Sequence, residues 1–163
     1  MDMADQRDEM VDALLAVSRV IIGIAVRALS VSGVDVTLPQ FRTLIVLATR
    51  GPQRVVDIAS ELAVNPSTGT RMCDRLVRKG LVDRQRIGSD RREVQLSLTD
   101  EGKRVVAEVT ALRRTELAKL VDTLPADTLI PAMALLQELA AAAGEPAERG
   151  SWLGWHPQRV NTP

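Results

Sequence analysis

The chain has no tyrosine, one phenylalanine (Phe41), two tryptophans (Trp152 and Trp155), one cysteine (Cys73) and one histidine (His156). A lone cysteine excludes an internal disulfide, and with a lone histidine it leaves no Cys/His metal cluster. No catalytic triad and no phosphate-binding glycine loop is recognisable. Enzyme readings therefore fail on inventory, and no catalytic residue, metal or cofactor is expected. No apolar run reaches the roughly 18 residues that would suggest a membrane helix. The N-terminus is acidic at Asp2, Asp5, Asp8 and Glu9 and does not read as a signal peptide. A cytoplasmic protein without a membrane partner is expected.

What is present is ordinary for a globular chain: 163 residues, 45% hydrophobic and 26% charged. With aromatics so scarce, the core must be built from Leu, Val, Ile and Ala. Formal net charge is zero, but its distribution is uneven. Residues 1–36 carry 3 basic and 6 acidic side chains, 37–102 carry 11 and 8, and 103–163 carry 7 of each. Within 65–92 the count is 8 basic to 3 acidic. A localised basic patch is the footprint of phosphate binding, although a solvated basic face would look the same by charge alone.

Apolar spacing predicts a first helix over about 6–32. Met10, Leu14, Val17, Ile21, Ile24, Ala28 and Val31 recur at steps of four and three, and Val11, Leu15, Ile22, Ala25 and Leu29 form a second stripe. One stripe suffices to dock the helix on its own domain; the second points to a partner subunit. Gly33 ends it. Thr37 caps a second helix with Phe41, Leu44, Ile45, Leu47 and Ala48 on its buried side, and Gly51-Pro52 stops it.

Residues 57–102 carry most of the functional signal. A short third helix over about 55–63 starts poorly capped, at Arg54. A turn leads to a fourth helix capped by Asn65, with Pro66 at its first position and Gly80 after its end. A hairpin follows, turning at Gly88-Ser89-Asp90, with Val94, Leu96 and Leu98 on one face of its second strand. Two helices in this order place the second to enter a DNA major groove, and an arginine-bearing hairpin tip can reach the adjacent minor groove. Thr99 caps a fifth helix lined by Val105, Val109, Leu112, Leu117, Leu120 and Leu124. Pro125 and Asp127 are expected to begin a sixth, with Leu129, Met133, Leu136, Leu139 and Ala143 on one face.

This order resembles the MarR family of bacterial transcription regulators. The resemblance rests on Leu38-Pro39-Gln40-Phe41, Asp57-Ile58-Ala59, Thr70-Arg71-Met72, Asp74-Arg75-Leu76, Lys79-Gly80-Leu81-Val82, Asp90-Arg91-Arg92 and Leu98-Thr99-Asp100-Glu101-Gly102, and covers about residues 10–143. It implies a mainly α fold with a small β wing: a winged helix-turn-helix lobe over 37–102, a helical dimerisation region over 1–36 and 103–144, and a tail over 145–163. It also implies a homodimer on double-stranded DNA, acting on a pseudo-palindromic operator, and a small aromatic or anionic effector. The cysteine that one branch of the family oxidises lies in the first helix; here the only cysteine is Cys73, in the fourth. Gly69 stands where the family has a small or branched apolar residue, at a helix cost of about 1 kcal/mol relative to Ala.

Ser67, Thr68, Thr70 and Arg71, in the first turns of the fourth helix, are the expected base-edge contacts; arginine can bind guanine bidentately. Arg75 either contacts phosphate or pairs with an acid. Arg84 and Arg86 on the first wing strand are expected phosphate contacts. Arg91 and Arg92 are candidates for the minor groove, with Asp90 orienting one of them. Met72, Leu76 and Cys73 are read as core. Arg27 and Phe41 are candidate effector-site walls by resemblance, and each has an equally good structural reading. Trp152 and Trp155 either dock on the body or lie in a loose tail. A winged-helix module that binds protein rather than DNA is the alternative, and it has no need of Asp90-Arg91-Arg92 beside a basic helix.

Overall fold

The computed structural model describes residues 2–86 and 94–145. Helix α1 (Met3–Val31) is followed by α2 (Leu38–Arg50), α3 (Val55–Glu61), α4 (Pro66–Arg78), strands β1 (Val82–Arg86) and β2 (Val94–Leu98), α5 (Asp100–Val121), a 3-10 turn (Ala126–Thr128) and α6 (Leu129–Ala142).

The helix starts are set by side chains that satisfy orphan backbone donors. Thr37 Oγ1 accepts from the Gln40 N–H at 3.4 Å while Gln40 Oε1 accepts from the Thr37 N–H at 3.0 Å, a reciprocal capping box. Asn65 Oδ1 accepts from the Thr68 N–H at 2.9 Å. Thr99 Oγ1 accepts from the Gly102 N–H at 3.0 Å and donates to the Gly80 carbonyl at 2.7 Å, so it caps α5 and ties it to the end of α4. Arg54 caps nothing, as its side chain requires. Its guanidinium instead grips Asp57 in the first turn of α3, at 2.8 and 3.0 Å, which holds that carboxyl below its ordinary pKa. Gly33 and Gly80 take φ of 67° and 69° just past α1 and α4.

β1 and β2 pair antiparallel, with Arg84 opposite Leu96. Gln53, in the α2–α3 connection, adds a bridge to Leu96 through both backbone groups, at 3.0 and 2.8 Å. The β2 alternation resolves into one fully buried residue, Leu96, flanked by half-buried Val94 and Leu98. The start of α5 lies so close to the α4–β1 turn that a Cβ on Gly102 would sit 2.1 Å from the Leu81 carbonyl oxygen.

The core gathers Phe41, Leu44, Ile58, Cys73, Leu76, Leu96, Val105, Val106 and Val109, together with Ala28 and Leu29 of α1. The last turns of α1 and the first turns of α5 thus share one core with the lobe, across the boundaries expected at 36 and 102. Among the described residues, the rest of α1 and all of α6 hold no buried residue. Met10, Leu14, Val17 and Ile21, and likewise Ile130, Met133 and Leu136, stand exposed.

One sequence expectation is corrected here. Helix α6 does not begin at Pro125–Asp127: a 3-10 turn comes first and α6 starts at Leu129, which puts Pro131, with no N–H to donate, in its first turn. Helix α1 is, by length and composition alone, long and apolar enough to cross a membrane. Its C-terminal turns, however, are spent on the protein core through Ile24, Ala25, Ala28 and Leu29.

Candidate nucleic-acid interface

Helix α4 buries Gly69, Met72, Cys73 and Leu76 against the lobe and leaves Ser67, Thr70, Arg71, Arg75 and Arg78 exposed. Steps of four and three put Arg71, Arg75 and Arg78 on one face. The short polar residues at its leading edge are locally satisfied. Ser67 Oγ donates to Asn65 Oδ1 at 2.9 Å, and Thr70 Oγ1 to the Pro66 carbonyl at 2.9 Å. Arg71 folds back along its own helix, donating from Nε to the Ser67 carbonyl at 3.2 Å and from Nη2 to Ser67 Oγ at 3.4 Å. These bonds are exposed and exchange readily for bonds to bases or phosphates.

Two open cavities flank this face. One, of about 570 Å³, is lined by Arg71, Asp74, Arg75, Val77, Arg78 and Arg84. There Arg84 Nη2 donates to the Asp74 carboxylate, joining β1 to α4. The other, of about 320 Å³, lies between the start of α2 and α4, with Thr37, Pro39, Gln40, Thr68, Arg71, Met72 and Arg75 as walls.

Ser67, Thr68, Thr70, Arg71 and Arg75 therefore fall together on or beside the exposed face of α4, and Arg84 joins them from β1. Arg86 ends β1, in register with Val94. Asp90, Arg91 and Arg92, with the expected turn at Gly88, lie outside the described residues, as do Trp152 and Trp155. Arg27 and Phe41 lie in different surroundings. Phe41 is 2% exposed within the core, and Arg27 is exposed on α1, near Glu116 of α5, whose pKa its charge helps to lower. Neither lines either cavity.

Two residues of the face escaped the reading of the sequence. Arg78 completes the stripe, and its spacing from Arg71 and Arg75 is a signal that a helical wheel shows. Asp74 is the carboxylate set among the arginines, and its pairing with Arg84 bridges two elements and has no local signature. Cys73, one residue away, is fully buried. Burial first, and then the neighbouring Asp74 charge, push its thiol up to about 11. At the end of α4, Lys79 Nζ donates to the Asp35 carboxylate at 2.8 Å and to the Asp35 carbonyl, which ties the helix to the α1–α2 connection and lowers the Asp35 pKa.

A helix-turn-helix with an exposed, arginine-striped second helix and a two-stranded wing defines a winged-helix DNA-binding protein. The comparisons agree. The sequence pattern of the MarR family matches residues 36–94. The chain is 38% identical over 108 residues to the HTH-type transcriptional repressor MdtR of Bacillus subtilis, covering 66% of this chain and 70% of that one. The crystal structure of RV1404 from Mycobacterium tuberculosis superposes with a TM-score of 0.81 at 36% identity, over 91% of this chain and 99% of that one. Wild-type MarR from E. coli superposes with a TM-score of 0.66 at 28% identity, over 78% and 94%. The chain belongs to the MarR family: it is a DNA-binding transcription regulator with a winged helix-turn-helix, not an enzyme.

Proposed function

We propose that this regulator is a cytoplasmic repressor that binds a pseudo-palindromic operator as a homodimer and is released by a small anionic or aromatic effector. The exposed face of α4 carries the reading. It offers Ser67, Thr70 and Arg71 to base edges from the leading turns and Arg75 to the flanking phosphates. Repression is the role printed for MdtR, and dimerisation accounts for the uncovered apolar faces of α1 and α6. Arg84 and Arg86 of β1 are assigned to phosphates from the sequence. Asp90, Arg91 and Arg92 are assigned to the minor groove from sequence alone.

An effector fits the crevice between α2 and α4 better than a site at Arg27 and Phe41. Arg71 and Arg75 present guanidinium groups there beside the apolar Pro39 and Met72. An anion held by those arginines would take them from DNA. The test is gel retardation on the promoter beside the protein's own gene, with and without aromatic carboxylates. Retardation that Arg71→Ala abolishes supports the α4 assignment, and wild-type affinity in that variant refutes it.

A further inference from the structure

The Asp74–Arg84 pair stands out because it offers the fold so little. Both side chains are close to half exposed, at 44% and 46%. Ion pairs so exposed contribute little to stability. Yet Asp74 is the one carboxylate among the residues lining the larger cavity, against four arginines: Arg71, Arg75, Arg78 and Arg84. Arg75 and Arg78 form no ion pair among the described residues, so the anion is committed to the arginine that comes from the wing.

Two consequences follow for DNA. A carboxylate on the cationic face repels phosphate and occupies one guanidinium, which lowers the attraction for any duplex. The same bond ties the root of the wing to the recognition helix, and so fixes the angle at which both can engage the two grooves of one site. Specificity is a difference of affinities, so an element that weakens the wrong complex raises it. We propose that Asp74 is a specificity-determining residue: by holding Arg84 it suppresses sequence-independent binding and positions the wing for the operator. This rests on the reading that the exposed face of α4 meets DNA.

The test measures affinity of the full-length protein against salt, for a duplex enriched by wild type from a random-sequence pool and for a scrambled duplex. Asp74→Asn keeps the shape and removes the charge. With Arg84 freed to meet one more phosphate, the slope of log K against log salt on the scrambled duplex should steepen by about 0.9, and affinity there should rise roughly five- to tenfold near 0.1 M salt. The enriched duplex should gain less or lose, so the ratio of the two affinities falls. Adding Arg84→Gln should return the slope toward wild type. Equal change on both duplexes with an unaltered slope, or a steeper slope that survives Arg84→Gln, overturns the proposal. Arg71→Ala, run alongside, reports separately on the α4 face: unchanged affinity there fails that reading whatever Asp74→Asn does.

Discussion

A Cβ built on Gly69 would lie 2.7 Å from the Cβ of Ala59, closer than real Cβ atoms approach. The helix-turn-helix is therefore packed backbone to backbone where α3 crosses α4, and Gly69 is there for space. The helix-propensity cost expected from the sequence is real, and the close crossing offsets it.

Gly69→Ala tests this. Propensity alone predicts stabilisation by about 1 kcal/mol. Overpacking a rigid, buried neighbour costs about 1–3 kcal/mol. The variant should unfold at lower denaturant than wild type, and Ala59→Gly in the same chain should recover part of the loss. A Gly69→Ala protein more stable than wild type would show that the helices separate at no cost.

The α3–α4 turn holds the opposite case. Ala63 takes φ of 51° on an exposed loop, without the glycine that such a backbone favours. Left-handed backbone costs a non-glycine residue about 1–2 kcal/mol. Glycine returns about 0.4–1 kcal/mol of that through unfolded-state entropy. Ala63→Gly should thus stabilise by about 0.5–1 kcal/mol in denaturant melts. Destabilisation would mean that the strain is carried elsewhere in the turn.

These two positions show what the sequence could and could not disclose. Caps are local, so Thr37, Asn65 and Thr99 were readable, as were Gly33 and Gly80. The fold followed from periodicity and family pattern, and the α4 face followed with it. The Gly69–Ala59 contact, the Asp74–Arg84 pair and the Arg42–Glu145 pair between α2 and the segment after α6 join residues of different elements, and no local pattern announces them. Phe41 was open to two readings, effector wall or core, and its 2% exposure places it in a core poor in aromatics that needs its volume. The start of α6 was misplaced because Pro125 resembles a first-turn proline, a role that Pro131 fills instead.

Cys73 gives a pH prediction. Its thiol is raised from 9.0 to about 11 in the fold, so the folded state prefers the protonated form. The associated stability is full below pH 9 and is lost as pH rises through 11. It is worth about 2–3 kcal/mol. Unfolding midpoints should fall across that window in wild type and fall less in Cys73→Ala. At pH 8 a disulfide reagent should leave the native thiol unmodified and label it at once in denaturant. Fast labelling of the native protein would contradict a buried, protonated thiol.

Dimerisation is the prediction on which the operator geometry depends. Val17 and Ile21 of α1 and Ile130 and Leu136 of α6 are exposed, and no residue among the described ones buries them. A self-complementary interface built from both helices should bury more than about 2,000 Å², the range of obligate dimers. Light scattering should give twice the chain mass at micromolar concentration. Val17→Glu with Ile21→Glu should give a monomer, because the charges would be buried unpaired at the interface while the lobe core, built from Ile24 onward, is left intact. On a pseudo-palindrome with half-sites about one helical turn apart, such a monomer loses the second contact, and affinity should drop on the order of 10²–10⁴-fold. On a single half-site the monomer and one wild-type lobe should bind alike. A monomeric wild type, or a double variant that stays dimeric with undiminished operator affinity, would place the interface elsewhere and remove the reason for expecting a two-fold operator.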